Sequence, residues 1–184
     1  MKAVDTLREE HDAVLVVLSR LKQAAQAAAE GQKVPAGVFM DIGEFLSVFV
    51  DRCHHAKEET VIFPLLREQG ESSLVNRLAA DHETGRQRAA ELARAIENYI
   101  PGNAETGQRL AQAVDAYSTL LQQHIQDETE LLFPAMMRLR RETDLQIVQA
   151  CDRIEVEEIG EGTHERFHAM IDSLPDRLEG VQRG

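Results

Sequence analysis

Apolar residues recur along most of this chain at alternating spacings of three and four, which is the pattern of amphipathic helices that bury one face. Pro and Gly residues interrupt the pattern and mark turns between its segments. Four long segments follow one another, over about residues 3–30, 38–69, 73–99 and 104–140. The hydrophobic pattern therefore predicts an all-α protein whose first part is built from four long helices.

The pattern weakens after the fourth segment. Two shorter helices are predicted there, over residues 144–158 and 163–178, with a Gly-rich break between them. We expect residues 1–140 to form a helical bundle. Residues 141–184 are then a C-terminal helical extension that packs across the outside or one end of the bundle.

One motif occurs twice in the bundle region. His54 is followed four residues later by Glu58, and His124 is followed four residues later by Glu128. In both copies a Phe-Pro dipeptide stands nine and ten residues after the His. Residues four apart lie on the same face of an α-helix, so each His and Glu could bind one metal ion. The spacing arises by chance in many helices, but its repetition together with Phe-Pro makes chance a poor explanation.

A lone His precedes each pair at nearly the same distance. His11 lies 43 residues before His54, and His82 lies 42 residues before His124. The chain therefore reads as an internally duplicated helical hairpin, since a solenoid would need at least three repeats. Residues separated in this way return to about the same depth in antiparallel helices joined by short turns. An up-down-up-down four-helix bundle would bring the four histidines together.

The first copy of the motif contains a second, overlapping frame. His55 and Glu59 have the same spacing and are rotated by about 100° around the helix. Both frames cannot face inward on an α-helix. His54 and Glu58 are preferred because their offset from Phe-Pro matches the second copy, which makes His55 a flanking residue. Pro64 should kink the helix or shift its register just beyond the site.

The two glutamates on buried stripes require compensation, because burying an unpaired carboxylate costs several kcal/mol. A single inward His is more often a satisfied core residue than a ligand, but two inward Glu residues, each one turn from an inward His, are unusual. No Arg or Lys is equally well placed on these stripes. A pair of divalent cations would neutralise the carboxylates and use the imidazole lone pairs. The predicted metal ligands are His11, His54, His82 and His124 as terminal ligands and Glu58 and Glu128 as bridges.

The donor set indicates which metal to expect. Mixed imidazole and carboxylate ligands suit iron, with manganese as the alternative, whereas a structural zinc site would usually recruit cysteine. We therefore expect two iron ions, bridged by the carboxylates and by an oxo or hydroxo group. The two cysteines, Cys53 and Cys151, make no disulfide framework, and Cys53 is expected to be a buried structural thiol.

Charge and hydropathy narrow the range of partners. The net charge of −12 argues against a nucleic-acid surface and against anionic membranes. The longest aliphatic run, residues 13–18, is too short to span a bilayer, and the first residues do not resemble a signal peptide. We expect a cytoplasmic protein that binds a small molecule, and a homodimer is left open as its assembly.

Taken together, these motifs resemble the hemerythrin-like proteins of the HHE cation-binding family, over roughly residues 1–140. The pattern is also similar to the di-iron domain of bacterial iron–sulfur-cluster repair proteins, whose pairs end in the same Phe-Pro. The resemblance implies a four-helix bundle that encloses a non-haem di-iron centre and meets O₂, NO or peroxide. The stretches that carry it are residues 9–12, 54–64, 81–83 and 124–134.

One position departs from the oxygen-carrying hemerythrins, which have a further His on the third helix, four residues after the first. Here that position, counted from His82, is Arg86. The centre is left with six protein ligands unless another group completes it, and an open iron pair should be more reactive and less suited to reversible O₂ carriage. The candidates for the gap are Glu83, a water, and the pair His164 and His168, which stand at i and i+4 in the last helix.

Three functions are compatible with these observations. The first is a binding or sensing module that binds O₂ or NO, or that stores and releases iron. The second is a redox enzyme that reduces NO or consumes peroxide at the metal pair. The third is a metal-free helical interaction domain that dimerises through its C-terminal segment. The sequence does not separate the first two, and it disfavours the third because Glu58 and Glu128 would then have no role.

Overall fold

The computed structural model describes residues 1–179, and this part of the chain is all-α, as predicted. It contains six helices and no strand. The helices are α1 (Lys2–Ala29), α2 (residues 36–68), α3 (Ser72–Glu97), α4 (residues 104–136), α5 (Arg141–Ile159) and α6 (Thr163–Glu179).

The first four helices form the bundle. α1 and α3 both pack along α4, and α2 closes the ring by contacting α1 and α3. Short turns join successive helices, so neighbours in sequence run antiparallel. Gly31 and Gly102 lie in two of these turns with φ of 82°, a left-handed conformation that glycine adopts without steric cost.

The interior of the bundle is divided along its length into two apolar clusters. One cluster contains Leu18, Phe45 and Leu121, and the other contains Leu7, Phe63 and Phe133. On each of the four helices the predicted ligands fall in sequence between residues of the first cluster and residues of the second. The polar residues therefore form one layer with hydrophobic packing on both sides.

Both motif-bearing helices contain π-helical turns at the site. α2 is π-helical over Leu46–His55 and Glu58–Ile62, and α4 over Glu128–Leu132. Proline in an α-helix lacks the N–H for the i−4 carbonyl and its ring clashes with that carbonyl. A π turn immediately before the Phe-Pro dipeptide relieves both problems. The register shift predicted from Pro64 is present, but it lies at Glu58 itself rather than beyond the site.

The extension packs along the outside of the bundle against α1 and α2. Its first helix supplies Asp144, whose carboxylate accepts the backbone N–H groups of Lys2 at 2.9 Å and Ala3 at 3.0 Å. Its second helix places Phe167 edge-on against Phe45, with ring centroids 5.4 Å apart. The last five residues of the expected extension, 180–184, lie outside the described residues.

Both cysteines are buried free thiols. Burial raises the pKa of Cys53 to about 11 and that of Cys151 to about 12, so both stay protonated at neutral pH. The expectation that Cys53 packs as a structural thiol agrees with this burial. No helix in residues 1–179 combines the length and the apolar character needed to cross a membrane.

The closest approach of α1 and α4 generates a stability prediction. A Cβ added at Gly107 would overlap the backbone carbonyl of Ala28, whereas one added at Gly85 would lie at an ordinary 3.6 Å from Leu120 Cδ2. We expect Gly107→Ala to destabilise the protein by about 1–3 kcal/mol or more through overpacking. The control Gly85→Ala should be neutral or stabilising by up to about 1 kcal/mol. Urea unfolding measures both, and equal stability of the two variants would contradict the packing described here.

Candidate metal centre

The structure brings all six predicted residues together in the middle of the bundle. α1 and α3 each contribute one His, and α2 and α4 each contribute one His and one Glu. Glu58 and Glu128 are completely buried, and each His is at most 3% exposed. The residues that meet are His11, His54, Glu58, His82, His124 and Glu128.

The four imidazoles form two pairs. Nε2 of His11 lies 3.1 Å from Nε2 of His54, and Nε2 of His82 lies 3.0 Å from Nε2 of His124. One pair comes from α1 and α2 and the other from α3 and α4, so each hairpin of the duplicated sequence supplies one pair. The ring nitrogens within a pair are close enough to contact a common ion.

Each carboxylate reaches both imidazole pairs. Oε2 of Glu128 is 3.1 Å from His11 Nε2, and its Oε1 is 3.0 Å from His124 Nε2. Oε1 of Glu58 is 3.8 Å from His54 Nε2, and its Oε2 is 3.3 Å from His82 Nε2. The result is two groups of four ligand atoms, each group lying within 4.8 Å and both groups containing the two glutamates.

Outer carboxylates fix the tautomers of two imidazoles. Nδ1 of His54 lies 2.7 Å from Glu10 Oε2, and Nδ1 of His82 lies 2.7 Å from Glu59 Oε1. An ionised carboxylate only accepts hydrogen bonds, so each Nδ1 must carry the proton. In a neutral ring the Nε2 lone pair then points into the centre. This is the arrangement of metal-binding histidines, whose outer nitrogen usually donates to a carboxylate.

The two buried glutamates have no hydrogen-bond partner for any of their four carboxylate oxygens. Burial and the adjacent charge of Glu128 raise the pKa of Glu58. Burial opposes a charge on His82, but its contacts with Glu128 and Glu58 outweigh burial and raise the pKa of this ring to about 10. The centre therefore attracts positive charge strongly, and its imidazole and carboxylate donors fit a metal cation.

A buried lysine neutralises carboxylates that lie outside the centre, and it does not reach the two central glutamates. Lys57 is 1% exposed, and its Nζ donates to Glu10 Oε1 at 2.6 Å and to Glu155 Oε2 at 3.0 Å. Burial would raise the pKa of Glu10, but His54 and Lys57 outweigh it and lower the value to about 2. The prediction that no Arg or Lys is placed to pair with the buried glutamates is correct for Glu58 and Glu128. It missed Lys57, which pairs with Glu10 instead.

Glu10 is a further residue of the site, and it was not among the predicted ligands. Its signal was present, because Ala3, Leu7, Glu10 and Val14 are spaced four, three and four apart and all are buried. A Glu on such a stripe, beside a candidate ligand, is a candidate for orienting a ligand on the neighbouring helix. Predicting the contact itself would require knowledge of how α1 and α2 pack against each other.

The expectation that only one of the two overlapping frames faces inward is wrong for the histidines. His54 and His55 are both buried, at 3% and 5% exposure. A π turn closes from i to i+5, so successive residues are separated by a smaller rotation than in an α-helix, and both rings reach the interior. Glu59 does point outward, where it contacts His82 and accepts a hydrogen bond from Arg86 at 2.6 Å.

None of the side chains proposed for the gap at Arg86 belongs to the two groups of the centre. Arg86 points away and donates to Asp51 at 2.9 Å and to Glu59 at 2.6 Å. Glu83 is exposed and pairs with Arg86. His164 and His168 meet edge to face in α6, where they line a small pocket with Glu10 and Glu155 outside the bundle core.

A cavity of about 410 Å³ lies beside the centre, between α2 and α3. Small residues form much of its wall, among them Gly43, Gly85 and Ala89. Polar side chains that also line it include His55 and Arg86. His55 stacks on His82, so the cavity adjoins the layer of histidines and glutamates.

The fold and this layer define a class, the four-helix proteins that hold a cation between histidines and glutamates of facing helices. The model of the hemerythrin HHE cation-binding domain matches residues 2–136, and the chain belongs to this family. Uncharacterized proteins of Mycobacterium tuberculosis and Mycobacterium bovis are similar to it, each 22% identical over 183 residues, which are 98% of this chain and 69% of the relative. No solved structure gives a significant match.

The buried Lys57 generates a prediction about stability. Lys57→Met would leave the carboxylate of Glu10 buried without its cation, and breaking such a pair costs about 3–5 kcal/mol. The control Arg88→Met removes only an exposed pair with Glu91 and should cost less than about 1 kcal/mol. Chemical denaturation of the metal-free variants compares the two. A cost for Lys57→Met no larger than that of Arg88→Met would show that Glu10 does not depend on this cation.

Proposed function

We propose that this protein is a non-haem di-iron protein whose centre binds and reacts with O₂, NO or peroxide. The observation that carries the proposal is the set of four buried carboxylate oxygens on Glu58 and Glu128, which have no partner and face imidazole nitrogens. Leaving these charges uncompensated would cost several kcal/mol each. Cations between the two imidazole pairs would remove that cost.

Two ions fit the arrangement better than one. The group on the α1 side contains His11 and His54, the group on the α3 side contains His82 and His124, and both contain the same two glutamates. A carboxylate that directs one oxygen to each group can bridge two ions. Glu58 and Glu128 are therefore proposed as bridges, and the four histidines as terminal ligands.

Iron suits the donor atoms, with manganese as the alternative. Neither group contains a cysteine, although Cys53 is adjacent in sequence to His54, so the centre does not have the thiolate donors typical of structural zinc. When bound, an iron pair supplies the electrons for chemistry with O₂, NO or peroxide. The four histidines and two glutamates would hold the ions, and the apolar clusters on both sides exclude water.

A redox enzyme is the second candidate, and the cavity between α2 and α3 favours it. Its volume of about 410 Å³ far exceeds the roughly 30 Å³ share of one water molecule, so substrate and product have room to exchange. A protein that only carries a diatomic molecule needs no such space. The enzymatic substrates consistent with this centre are NO and peroxide.

The remaining features are proposed as follows. Residues 1–140 form the metal-binding domain, and residues 141–184 form an extension that supports it from the outside. Two free cysteines favour a reducing compartment, so we propose the cytoplasm. The acidic surface, with a net charge of −12, favours small-molecule partners over nucleic acid or anionic membranes.

Anaerobic reconstitution with Fe(II) tests the proposal. Iron analysis should give one ion for each of the two ligand groups. Exposure to O₂, NO or peroxide, followed by visible spectroscopy, then separates the two candidates. A band that disappears when O₂ is removed supports binding or sensing, and irreversible oxidation with turnover supports an enzyme. A folded protein that takes up no metal would contradict the proposal.

Removing one bridge should disable the centre. We expect Glu128→Ala to lose at least one of the two ions, because both ligand groups include this carboxylate. The matched control is Glu130→Ala, an exposed Glu two residues further along the same helix, which should bind iron like the unaltered protein. Metal content after gel filtration measures the difference. Equal metal content in the two variants would rule out Glu128 as a bridge.

A further inference from the structure

We propose that His55 is a seventh protein ligand of the metal pair, supplied by α2 to the ion held by His82 and His124. The proposal rests on the di-iron function proposed above and deepens it. It assigns a role to a residue that the spacing of the motif had placed outside the centre.

His55 lies directly against both histidines of that ion. Its ring stacks on His82 with centroids 3.9 Å apart and an interplanar angle of 16°, and it meets His124 edge-on at 5.6 Å. One nitrogen from each of these three rings lies within 4.8 Å of the other two. Three imidazole nitrogens at this separation can bind one metal ion once the ring of His55 turns out of its stack on His82, because nearly parallel rings do not direct their lone pairs at a common point.

The ring of His55 has no other satisfactory partner. It is 5% exposed, and neither of its nitrogens makes a hydrogen bond. A buried polar atom without a partner destabilises a protein, and this ring has two such atoms. Nδ1 lies 3.5 Å from Asp51 Oδ1, at the outer limit of a hydrogen bond, which leaves Nε2 free for a metal.

Asp51 lies beside His55 on the same side as Glu10 beside His54 and Glu59 beside His82, but at 3.5 Å rather than 2.7 Å. In each case a carboxylate lies next to the outer Nδ1 of an inward imidazole. Outer carboxylates of this kind orient metal-binding histidines and set their tautomer. A histidine that served only as packing would have no need of the same arrangement.

Arg86 contacts two of these outer carboxylates and lies on α3 at the position of the missing ligand. It occupies the position at which oxygen-carrying hemerythrins have a further His, and its guanidinium donates to Asp51 and Glu59 together. Arg86 thus holds the two carboxylates that face the outer nitrogens of His55 and His82. His55 of α2 would replace the ligand that is absent from α3. Arg86, which stands at the position of the absent ligand, would position His55 through Asp51.

The π-helical segment explains how α2 can supply two consecutive histidines. Leu46–His55 is π-helical, and the smaller rotation between successive residues turns both His54 and His55 inward. His54 faces His11, and His55 faces His82. One helix would in this way serve both ions through adjacent residues, in addition to bridging them through Glu58.

A seventh ligand changes what the centre can do. His55 would add a donor to the six predicted ligands, and it is also part of the wall of the cavity between α2 and α3. A small molecule that arrives through the cavity then meets His55 first. The small molecule would then bind at the ion held by His11 and His54, or it would displace His55. A centre with only six protein ligands would not impose this choice.

The experiment compares His55→Ala with His164→Ala, a control histidine outside the centre, in the full chain loaded with Co(II). Lower coordination numbers strengthen the visible absorption of Co(II). We expect His55→Ala to retain both ions, to bind one of them at least about tenfold more weakly, and to absorb more strongly. Free imidazole added to His55→Ala should restore the original spectrum, which a packing role would not produce. His164→Ala should match the unaltered protein.

Asp51→Asn is the second variant, and it keeps the test decisive if His55→Ala does not fold. It should weaken binding of the same ion by about tenfold through loss of the outer carboxylate. Unchanged affinity and an unchanged spectrum in both variants would overturn the role of His55 and leave the di-iron proposal intact, provided that His124→Ala loses metal. Absence of metal uptake by the unaltered protein would overturn the di-iron proposal as well.

Discussion

The burial of two carboxylates is the constraint on which the rest of the structure depends. Glu58 and Glu128 lie completely buried between two apolar clusters, and no donor in the described residues makes a hydrogen bond to their oxygens. Their mutual repulsion and the cost of burial act against folding until positive charge arrives. Four imidazoles lie at the same depth in the bundle. They can supply positive charge by taking up protons or by binding a metal cation. The two halves of the bundle therefore meet at a layer whose buried negative charge requires nearby positive charge to offset it.

The outer shell shows that the C-terminal extension is linked to this layer. Glu155 of α5 binds Lys57 of α2, Lys57 binds Glu10 of α1, and Glu10 accepts the Nδ1 proton of His54. Each link is a charge-assisted contact of 2.6 to 3.0 Å. The family domain ends at residue 136, yet one of its central histidines is oriented through a residue of the helix that follows. Variation in the extension can therefore alter the electrostatics of the centre without any change in its ligands.

The helices and the six central residues followed from the sequence because both depend on periodicity, which is a local property. Contacts between helices are not local, and they account for what was missed. The contact between Glu10 and Lys57 depends on which faces of α1, α2 and α5 pack against each other. The spacing of residues along one helix does not reveal this. His55 was excluded by assuming an α-helix throughout α2. The π-helical segment that overturned this assumption is Leu46–His55, and a fixed rotation per residue cannot represent it.

Helical geometry and ligand identity are consequently coupled in the centre proposed here. A stretch of ideal α-helix would turn one of two neighbouring histidines toward solvent, and the spacing of the motif would then determine the ligand set completely. The π turn removes that restriction on α2, while α3 has an arginine where a related family member has a histidine. Arg86 binds the carboxylates that face the outer nitrogens of His55 and His82. A change of backbone geometry on one helix can thus compensate for a change of side chain on another, and comparing ligand positions one by one between relatives would misjudge such a centre.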